Sequence, residues 1–386
     1  MGLIRYIKSC FSRQPGVHTA ASNCLKASEH GITLRQIDKQ ATKILSRLEE
    51  AGFGAYLVGG CVRDLLLGLQ PKDFDIVTDA KPEEVQKLFR HCYLVGRRFR
   101  IAHVRYGRDV YEVSTFRAGQ AGQQHSDQGL LMDDNQYGTL EDDVWRRDFT
   151  INALYYNLAD QSVVDHALGM RDIRAKQIRI IGEPSQRFTE DPIRVLRAAR
   201  FAAKLQFTIE EKTAAPMTQM CELLAFVAPA RLFLECEKMF GYGYALAAYQ
   251  ALREYRLFGF LFSQTQVSLD SEYGQQVDAF LQATFANTDK RVLSGKAVTP
   301  AFFVAALLWY PFLHRVALLQ ETQQLTRINA EQVAASQICQ KQLENLAIPK
   351  RYIVRVKEIW QLQVPLCQRR HYRVRQLLQH PRFRAA

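Results

Sequence analysis

Apolar residues recur in two different rhythms along this chain. From Thr33 to Leu48 they return every three or four residues, which predicts an amphipathic helix with Thr33 as its N-cap and Gln36 at the capping-box position. Strands are predicted for three short apolar runs, at 55–58, 101–106 and 110–116, of which the last two form a β-hairpin. From residue 184 onward, helical spacing dominates.

This change of rhythm predicts an α+β head with a small mixed β-sheet and helices, followed by an all-α neck and body. The expected boundaries are 1–32 for a mobile N-terminal tail, 33–182 for the head, 183–240 for the neck and 241–386 for the helical body. Residues 118–138 are rich in Gly, Gln and Asp and predict a long mobile loop beside the site. Glu141 begins a further predicted helix that continues through Leu154.

The charge balance indicates a polyanionic partner. The formal net charge is +12, and residues 350–386 contain ten Lys or Arg against one acid, Glu358. Nucleic acid is the commonest such partner, and a basic, solvated helical surface is the alternative. The eight cysteines form no C-x-x-C pair, which predicts free thiols in a reducing compartment. No apolar run is long enough for a membrane span, so a cytoplasmic protein is expected.

Two glycines and two aspartates predict a site for a nucleotide and metal ions. The first predicted strand is followed by Gly59 and Gly60, and glycines let the backbone approach a phosphate closely. Arg63 follows in the first turn of the next helix, where its guanidinium suits phosphate oxygens. Asp73 and Asp75 project to one face of an expected strand, at a spacing that suits a pair of Mg²⁺ ions. A packing turn and a solvated strand are the alternatives.

Two more polar motifs extend this site. Asp148 is the best candidate for a third carboxylate, with Asn152 one helical turn away, and an ordinary arginine–aspartate surface pair is the alternative. Four residues spaced three apart form a slanting stripe on a predicted helix: Asp191, Arg194, Arg197 and Arg200. Such a stripe can hydrogen-bond a base edge and a triphosphate, whereas found alone it is typical of salt bridges on a solvated helix.

Four motifs in this order resemble those of the class II nucleotidyltransferases, the family of tRNA CCA-adding enzymes and bacterial poly(A) polymerases. They are Leu57-Val58-Gly59-Gly60-x-Val62-Arg63-Asp64, Asp73-Phe74-Asp75-Ile76-Val77-Thr78, Arg146-Arg147-Asp148-Phe149-Thr150-Ile151-Asn152-Ala153 and Glu190-Asp191-x-x-Arg194-x-x-Arg197-Ala198-x-Arg200-Phe201. Three further segments, at 94–100, 346–351 and 359–363, are similar to the bacterial poly(A) polymerase I branch and favour it over the CCA-adding branch.

The resemblance implies a role for each matching residue. It implies that Asp73 and Asp75 hold the Mg²⁺ ions, that Asp148 is the third active-site acid and that Glu112 corresponds to a family acid near the metal ions. The residues it implies as nucleotide-binding are Gly60, Arg63, Arg147, Asp191, Arg194, Arg197 and Arg200. Within that set, Asp191 and Arg194 are expected at the base edge, with Arg197 and Arg200 nearer the phosphates.

The implied reaction is template-independent addition of AMP from ATP to RNA 3′ ends, with release of pyrophosphate, which promotes RNA turnover. The implied partners are RNA 3′ ends, ATP and proteins of RNA decay or RNA chaperoning. CCA addition to tRNA remains an alternative because the two branches share these residues, and a non-catalytic RNA-binding adaptor is another.

The basic stretch 350–384, with aromatic residues interleaved, predicts an RNA track, and a helical core with solvated arginines is the alternative. Members of the branch continue past the position of Ala386 into a basic tail. The short C-terminus is therefore expected to affect RNA affinity and processivity.

Overall fold

The computed structural model describes residues 23–96, 100–118, 136–368 and 378–379. The chain divides into two compact units, Met1–Arg187 and Phe188–Ala386. The first unit contains a large mixed sheet, and the described part of the second consists almost entirely of helices. The predicted α+β head followed by a helical region is therefore confirmed, while the finer division into neck and body stays a prediction.

Eight strands form the sheet of the first unit. They are β1 Asn23–Leu25, β2 Ala55–Val58, β3 Ile76–Thr78, β4 Cys92–Val95, β5 Ile101–Tyr106, β6 Asp109–Thr115, β7 Tyr155–Asn157 and β8 Val163–Asp165. Their spatial order is β1-β8-β7-β2-β3-β6-β5-β4, and every neighbouring pair is antiparallel except β3 with β6. The predicted strand at 55–58 and the predicted hairpin are both present.

The helices of the first unit are α1 Ala27–His30, α2 Lys39–Glu50, α3 Gly60–Leu66, α4 Pro82–Leu88, α5 Leu140–Arg146, α6 Gly169–Arg174 and α7 Pro184–Glu190, the last of which extends into the second unit. Two 3-10 turns, Leu34–Gln36 and Thr150–Asn152, and a short strand β9, Gln177–Ile178, complete it. Helices α2 and α4 pack on one face of the sheet. The apolar stripe of α2 is fully buried there, as its spacing predicts: Ala41, Ile44, Leu45 and Leu48.

The N-terminal region is ordered earlier than its sequence suggests. Strand β1 pairs with β8, with Cys24 opposite Val164, so the tail predicted for 1–32 is wrong from residue 23 onward. Backbone pairing at a sheet edge requires no apolar periodicity, which is why the pattern gave no sign of it. The capping box of Thr33 and Gln36 forms, but it encloses only a 3-10 turn, and α2 begins three residues later.

Helix α5 ends at Arg146, although its pattern predicts continuation through Leu154. The guanidinium of Arg187 stabilises this end, because its Nη2 donates to the carbonyl oxygens of Arg146 (2.9 Å) and Arg147 (2.7 Å). Phe149 then forms a β-bridge, and the chain continues into β7. Most of the predicted loop, 119–135, lies outside the described residues.

The second unit contains a run of helices and a two-residue strand, β10 Thr208–Ile209. The helices are α8 Ile193–Leu205, α9 Glu211–Ala214, the 3-10 helix Gln219–Phe226, α10 Pro229–Phe240, α11 Ala245–Glu254, α12 Phe258–Leu261, α13 Ser263–Leu269, α14 Gly274–Leu293, α15 Pro300–Leu307, α16 Trp309–Gln323, α17 Arg327–Asn345 and α18 Lys350–Gln368. Aromatic rings fill its core, where Phe240 stacks on Phe285 with ring centres 4.8 Å apart. In the described ranges no single helix has the length and hydropathy of a membrane span; α15 and α16 reach both only as a pair bent by 50°.

Candidate active site

A glycine turn joins β2 to α3. Gly59 has φ 76° and ψ −126°, a conformation that strains any residue with a side chain. Its amide donates to the carbonyl oxygen of Leu154 at 3.2 Å. A Cβ placed on Gly59 would lie 3.5 Å from Nη1 of Arg147 and 3.7 Å from the carbonyl oxygen of Asn152. The bare backbone here therefore lies against the segment that follows α5.

Arg63 lies beneath this turn and is buried, with an exposed fraction of 2%. Its Nη1 donates to Oδ1 of Asn152 (2.6 Å), and Nδ2 of Asn152 donates to Oδ1 of Asp148 (3.1 Å). Its Nε and Nη2 donate to Oδ1 of Asp64 at 2.9 and 2.6 Å. A Cβ on Gly60 would lie 3.6 Å from Nη2. Arg63 therefore orients Asn152 and Asp148, and its predicted contact with nucleotide stays a prediction.

The acid that fixes Arg147 was not predicted from the sequence. Asp143 is fully buried and accepts from Arg146, from Nε and Nη2 of Arg147 (3.0 and 2.8 Å) and from the hydroxyl of Tyr155 (2.7 Å). Burial alone would raise the pKa of Asp143, but the two guanidinium groups and the Tyr155 hydroxyl lower it to about 2. The signal was present, since Asp143 precedes the two arginines by three and four positions on a helix.

Arg147 consequently presents a permanent, immobilised charge beside the glycine turn. Burial opposes its charged form, but Tyr155 and Asp143 together raise its pKa above the ordinary arginine value. Nε and Nη2 are bound to these partners, and Nη1 is the atom nearest to Gly59. An anionic group approaching the turn would meet this guanidinium.

The two predicted metal ligands directly precede a strand and do not lie within it. Strand β3 begins at Ile76, and the amide of Val58 still donates to the carbonyl oxygen of Asp75 at 3.0 Å. Because β2 turns away at Gly59, Asp73 has no strand partner on that side. Both aspartates are exposed to solvent just before β3 begins.

Asp75 belongs to a group of acids with Asp73 and Glu112. Desolvation by the surrounding protein and the charge of Glu112 raise the pKa of Asp75 to about 6; Arg147 opposes this rise and Asp73 adds to it. The residue is exposed at the surface, yet the surrounding protein and the neighbouring acids disfavour the charged form of its carboxyl. An oxygen-only donor set under mutual repulsion fits a hard divalent cation.

Asp148 makes hydrogen bonds within its own segment. Its Oδ1 accepts from the amide of Phe149 (2.8 Å) and from Asn152. Across the described ranges, no three His, Cys, Asp or Glu side chains form a ready metal site. The prediction of Asp148 as the third active-site acid beside Asp73 and Asp75 stays a prediction. Glu112 is the acid whose charge acts on Asp75.

The predicted polar stripe lies in the second unit. Asp191 precedes α8 and does not belong to it, because Pro192 occupies the N-cap position; the three arginines lie on the helix as predicted. Asp191 accepts from Nη1 and Nη2 of Arg231 at 3.1 and 2.9 Å. Nη1 of Arg194 donates to Glu190 at 3.1 Å.

Arg197 and Arg200 point toward a single buried acid on α10. Nε of Arg200 donates to Oε2 of Glu235 at 2.6 Å, and Nη1 of Arg197 lies 3.9 Å from Oε1. The side chain of Arg200 is only 9% exposed. Arg200 therefore holds α8 to α10, and its predicted place near the phosphates stays a prediction. The roles of Asp191, Arg194 and Arg197 stay predictions.

Of the aromatic residues in the basic C-terminal stretch, the structure describes Tyr352 and Trp360. Trp360 is buried, stacks on Phe312 with ring centres 4.4 Å apart and donates from Nε1 to the carbonyl oxygen of Ala305 at 3.0 Å. For Trp360 the core alternative is therefore the correct one. His371, Tyr372 and Phe383 lie outside the described residues.

Three family profiles match the chain. They are described as "Poly A polymerase head domain" at residues 55–179, "Probable RNA and SrmB- binding site of polymerase A" at 206–269 and "Polymerase A arginine-rich C-terminus" at 323–386. The first covers the glycine turn, both aspartates, Glu112 and Arg147. The first unit's candidate site thus lies almost wholly within the matched head.

Comparison with individual proteins also finds poly(A) polymerases and CCA-adding enzymes. Poly(A) polymerase I of Salmonella typhi is 44% identical over 365 residues, which cover 93% of this chain and 78% of that relative. The CCA-adding enzyme of Lactobacillus helveticus is 42% identical over 202 residues, 52% of this chain and 49% of that relative. Among solved structures, the CCA-adding enzyme of Bacillus stearothermophilus in complex with CTP superposes with a TM-score of 0.57 at 27% identity, covering 85% of this chain and 70% of that one.

Proposed function

Because this chain belongs to the poly(A) polymerase I family, we propose that it transfers AMP from ATP to the 3′ ends of RNA without a template. The observation that carries the proposal is the acid group of Asp73, Asp75 and Glu112 near Arg147 and the glycine turn. In the reaction, the 3′-hydroxyl oxygen forms a bond to the α-phosphorus of ATP and loses its proton. The bond between the α- and β-phosphates breaks, and pyrophosphate leaves.

Asp73 and Asp75 are the residues that would hold Mg²⁺. When bound, the ion supplies positive charge that neutralises the triphosphate and lowers the pKa of the 3′-hydroxyl. Asp75 must be ionised for this role, and a pKa of about 6 leaves it ionised at neutral pH. Asp143 fixes the guanidinium of Arg147 in place, so its positive charge can interact with the triphosphate without any rearrangement of the side chain.

For the second unit, we assign base recognition to Asp191 and Arg194 and phosphate contact to Arg197. Arg200 is assigned a positioning role, because its guanidinium is buried on Glu235. Arg231 would release or share Asp191 when a base is bound, since it is itself more than half exposed.

The test offers the purified chain one nucleoside triphosphate at a time, with Mg²⁺ and two acceptors. The acceptors are an unstructured RNA and a tRNA that lacks its terminal CCA. Long tails made from ATP alone on the unstructured RNA support the proposal. Additions that stop after C-C-A on the tRNA would replace it with the CCA-adding alternative.

Site variants show whether the product comes from this site. Asp73→Ala should reduce turnover by orders of magnitude while RNA binding persists, because Asp73 is exposed and its loss leaves the core intact. Asp109→Ala is the matched control, since it removes another exposed aspartate, at the β5–β6 turn. Near-normal turnover in Asp73→Ala would refute the metal assignment.

We extend the proposal to a cytoplasmic enzyme of RNA turnover. The cysteines that the structure describes are free thiols, which fits a reducing compartment. RNA-decay or RNA-chaperone proteins are the proposed partners. Capture of such proteins on the immobilised chain should survive ribonuclease treatment, and their loss on that treatment would contradict direct binding.

A further inference from the structure

One face of the sheet carries exposed apolar side chains close to the acid group. In β4 to β6 the buried residues alternate with outward ones, and α4 covers only the buried side. The outward face of an antiparallel sheet is ordinarily polar. Here it presents Tyr93, Val95 and Val110, with exposed fractions of 58%, 46% and 49%. Exposed apolar side chains gathered on one face are typical of an interaction site.

The strand register connects this face to the acids. Tyr93 lies opposite His103, and His103 lies opposite Glu112. Glu112 directly precedes Val113, the parallel partner of Ile76, so Glu112 and Asp75 are neighbours on the same face. Tyr93, His103 and Glu112 thus form one row across β4, β5 and β6, which continues to Asp75, the residue before β3; we call this the sheet-face row. Its two ends are about 14 Å apart at the usual spacing between strands.

The chemistry of the row changes along its length. At one end are two carboxylates, and Nε2 of His103 lies 3.8 Å from Oε1 of Glu112. At the other end, the ring of Tyr93 stands exposed at the edge of the sheet. Arg105 is exposed and follows His103 by two positions, so it lies on the same face. A strip of rings and apolar side chains with a cation beside it suits a single nucleic-acid strand.

We propose that the last bases of the RNA strand stack on Tyr93 and His103, so that the 3′-hydroxyl reaches the acids at the other end of the row. This inference rests on the proposed function, because it names where the RNA acceptor binds in the head. Stacking on rings accepts any base, as a template-independent enzyme requires. Phosphates near the carboxylates would be repelled, which favours a strand whose bases face the sheet and whose backbone follows Arg105.

The experiment uses the full chain with ATP, Mg²⁺ and a short unstructured RNA. Tyr93→Ala and His103→Ala should each raise the KM for RNA about tenfold, with kcat and the KM for ATP little changed. Tyr93→Phe keeps the ring and should stay within about twofold of the natural enzyme. Tyr273→Ala removes a tyrosine of similar exposure, 56%, from α14's N-cap and should leave all three constants unchanged.

A second readout follows stacking directly. The fluorescence of an RNA that carries 2-aminopurine near its 3′ end should be quenched when the RNA binds the natural enzyme. Binding to Tyr93→Ala should leave that fluorescence unquenched. An unchanged KM for RNA in both alanine variants would overturn the inference while leaving the proposed function intact. A fall in kcat alone in His103→Ala would also overturn it, because that result means that His103 acts by orienting Glu112. A natural enzyme that adenylates no RNA would refute the proposed function itself, and the inference with it.

Discussion

Replacing Asp75 with asparagine should abolish adenylyl transfer and, at the same time, make the metal-free protein more stable. Desolvation by the surrounding protein, together with the charge of Glu112, disfavours the ionised form of Asp75, so the folded state bears a cost that asparagine removes. The same carboxylate is one of the two proposed Mg²⁺ ligands. Activity and stability are therefore expected to change in opposite directions at this single position.

The size of the effect follows from the pKa. An aspartate carboxyl ordinarily titrates near 3.9, and a rise to about 6 corresponds to about 3 kcal/mol if the group were fully desolvated. Asp75 is exposed, so solvent screening reduces this to about 1 kcal/mol. For a unit of this size, 1 kcal/mol shifts Tm by about 2–4 °C.

The pH determines whether Asp75→Asn changes the stability of the folded protein. The folded state binds the Asp75 proton more tightly than the unfolded chain does, so the cost is complete above about pH 6 and absent below about pH 4. Asp75→Asn should therefore melt higher than the natural protein at pH 7.5 in EDTA, and the gain should disappear near pH 4. Added Mg²⁺ should stabilise the natural protein and not the variant.

The assay is a thermal melt of both proteins at the two pH values, with and without Mg²⁺. Asp109→Asn is the charge control and should not move Tm, because Asp109 lies at the hairpin turn. A Tm for Asp75→Asn that is equal to or below the natural value at pH 7.5 would refute the argument that the folded protein disfavours the ionised form of Asp75.

Three further outcomes are expected. Asp143→Asn should lower the free energy of unfolding by about 3–5 kcal/mol, since it leaves two arginines without their buried acid; an unchanged midpoint in urea would contradict this. Asn152→Ala should lower kcat and leave the circular dichroism spectrum unchanged, because it removes the hydrogen bonds that link Arg63 to Asp148 through Asn152. An unaltered kcat would show that these hydrogen bonds are not needed for catalysis. Glu235→Gln should raise the KM for ATP more than the KM for RNA, because it loosens Arg200 and its helix; equal changes in both would argue against a nucleotide-positioning role.

Local pattern was enough to predict much of the head. The stripe of α2, the strand β2 and the β5–β6 hairpin depend on neighbouring residues, and the structure has them where the spacing places them. The glycine turn was also predictable, because only glycine adopts the backbone conformation found at Gly59 without strain. These features depend on contacts within a few residues in sequence.

The roles of single polar residues were harder to predict, because they depend on partners distant in sequence. Arg200 appears in the sequence as one of three equivalent arginines, yet Glu235, 35 residues later, buries it. The pattern predicts that helix α5 continues through Leu154, but Arg187, 41 residues after Arg146, stabilises the end of the helix at Arg146. Glu112 reaches Asp75 only through the register of β3 with β6, which no local pattern encodes.

That parallel pairing has a consequence for how the chain can vary. Side chains alternate between the two faces of a strand. One residue inserted between Glu112 and Thr115 would therefore move the Glu112 side chain to the helix-covered face, and Glu112 would no longer lie beside Asp75. An insertion at Gly107 and Arg108, in the hairpin loop, would disturb no such alternation. Natural length variation should therefore concentrate at the tip of the hairpin and be missing from the few residues that lead from Glu112 into the sheet.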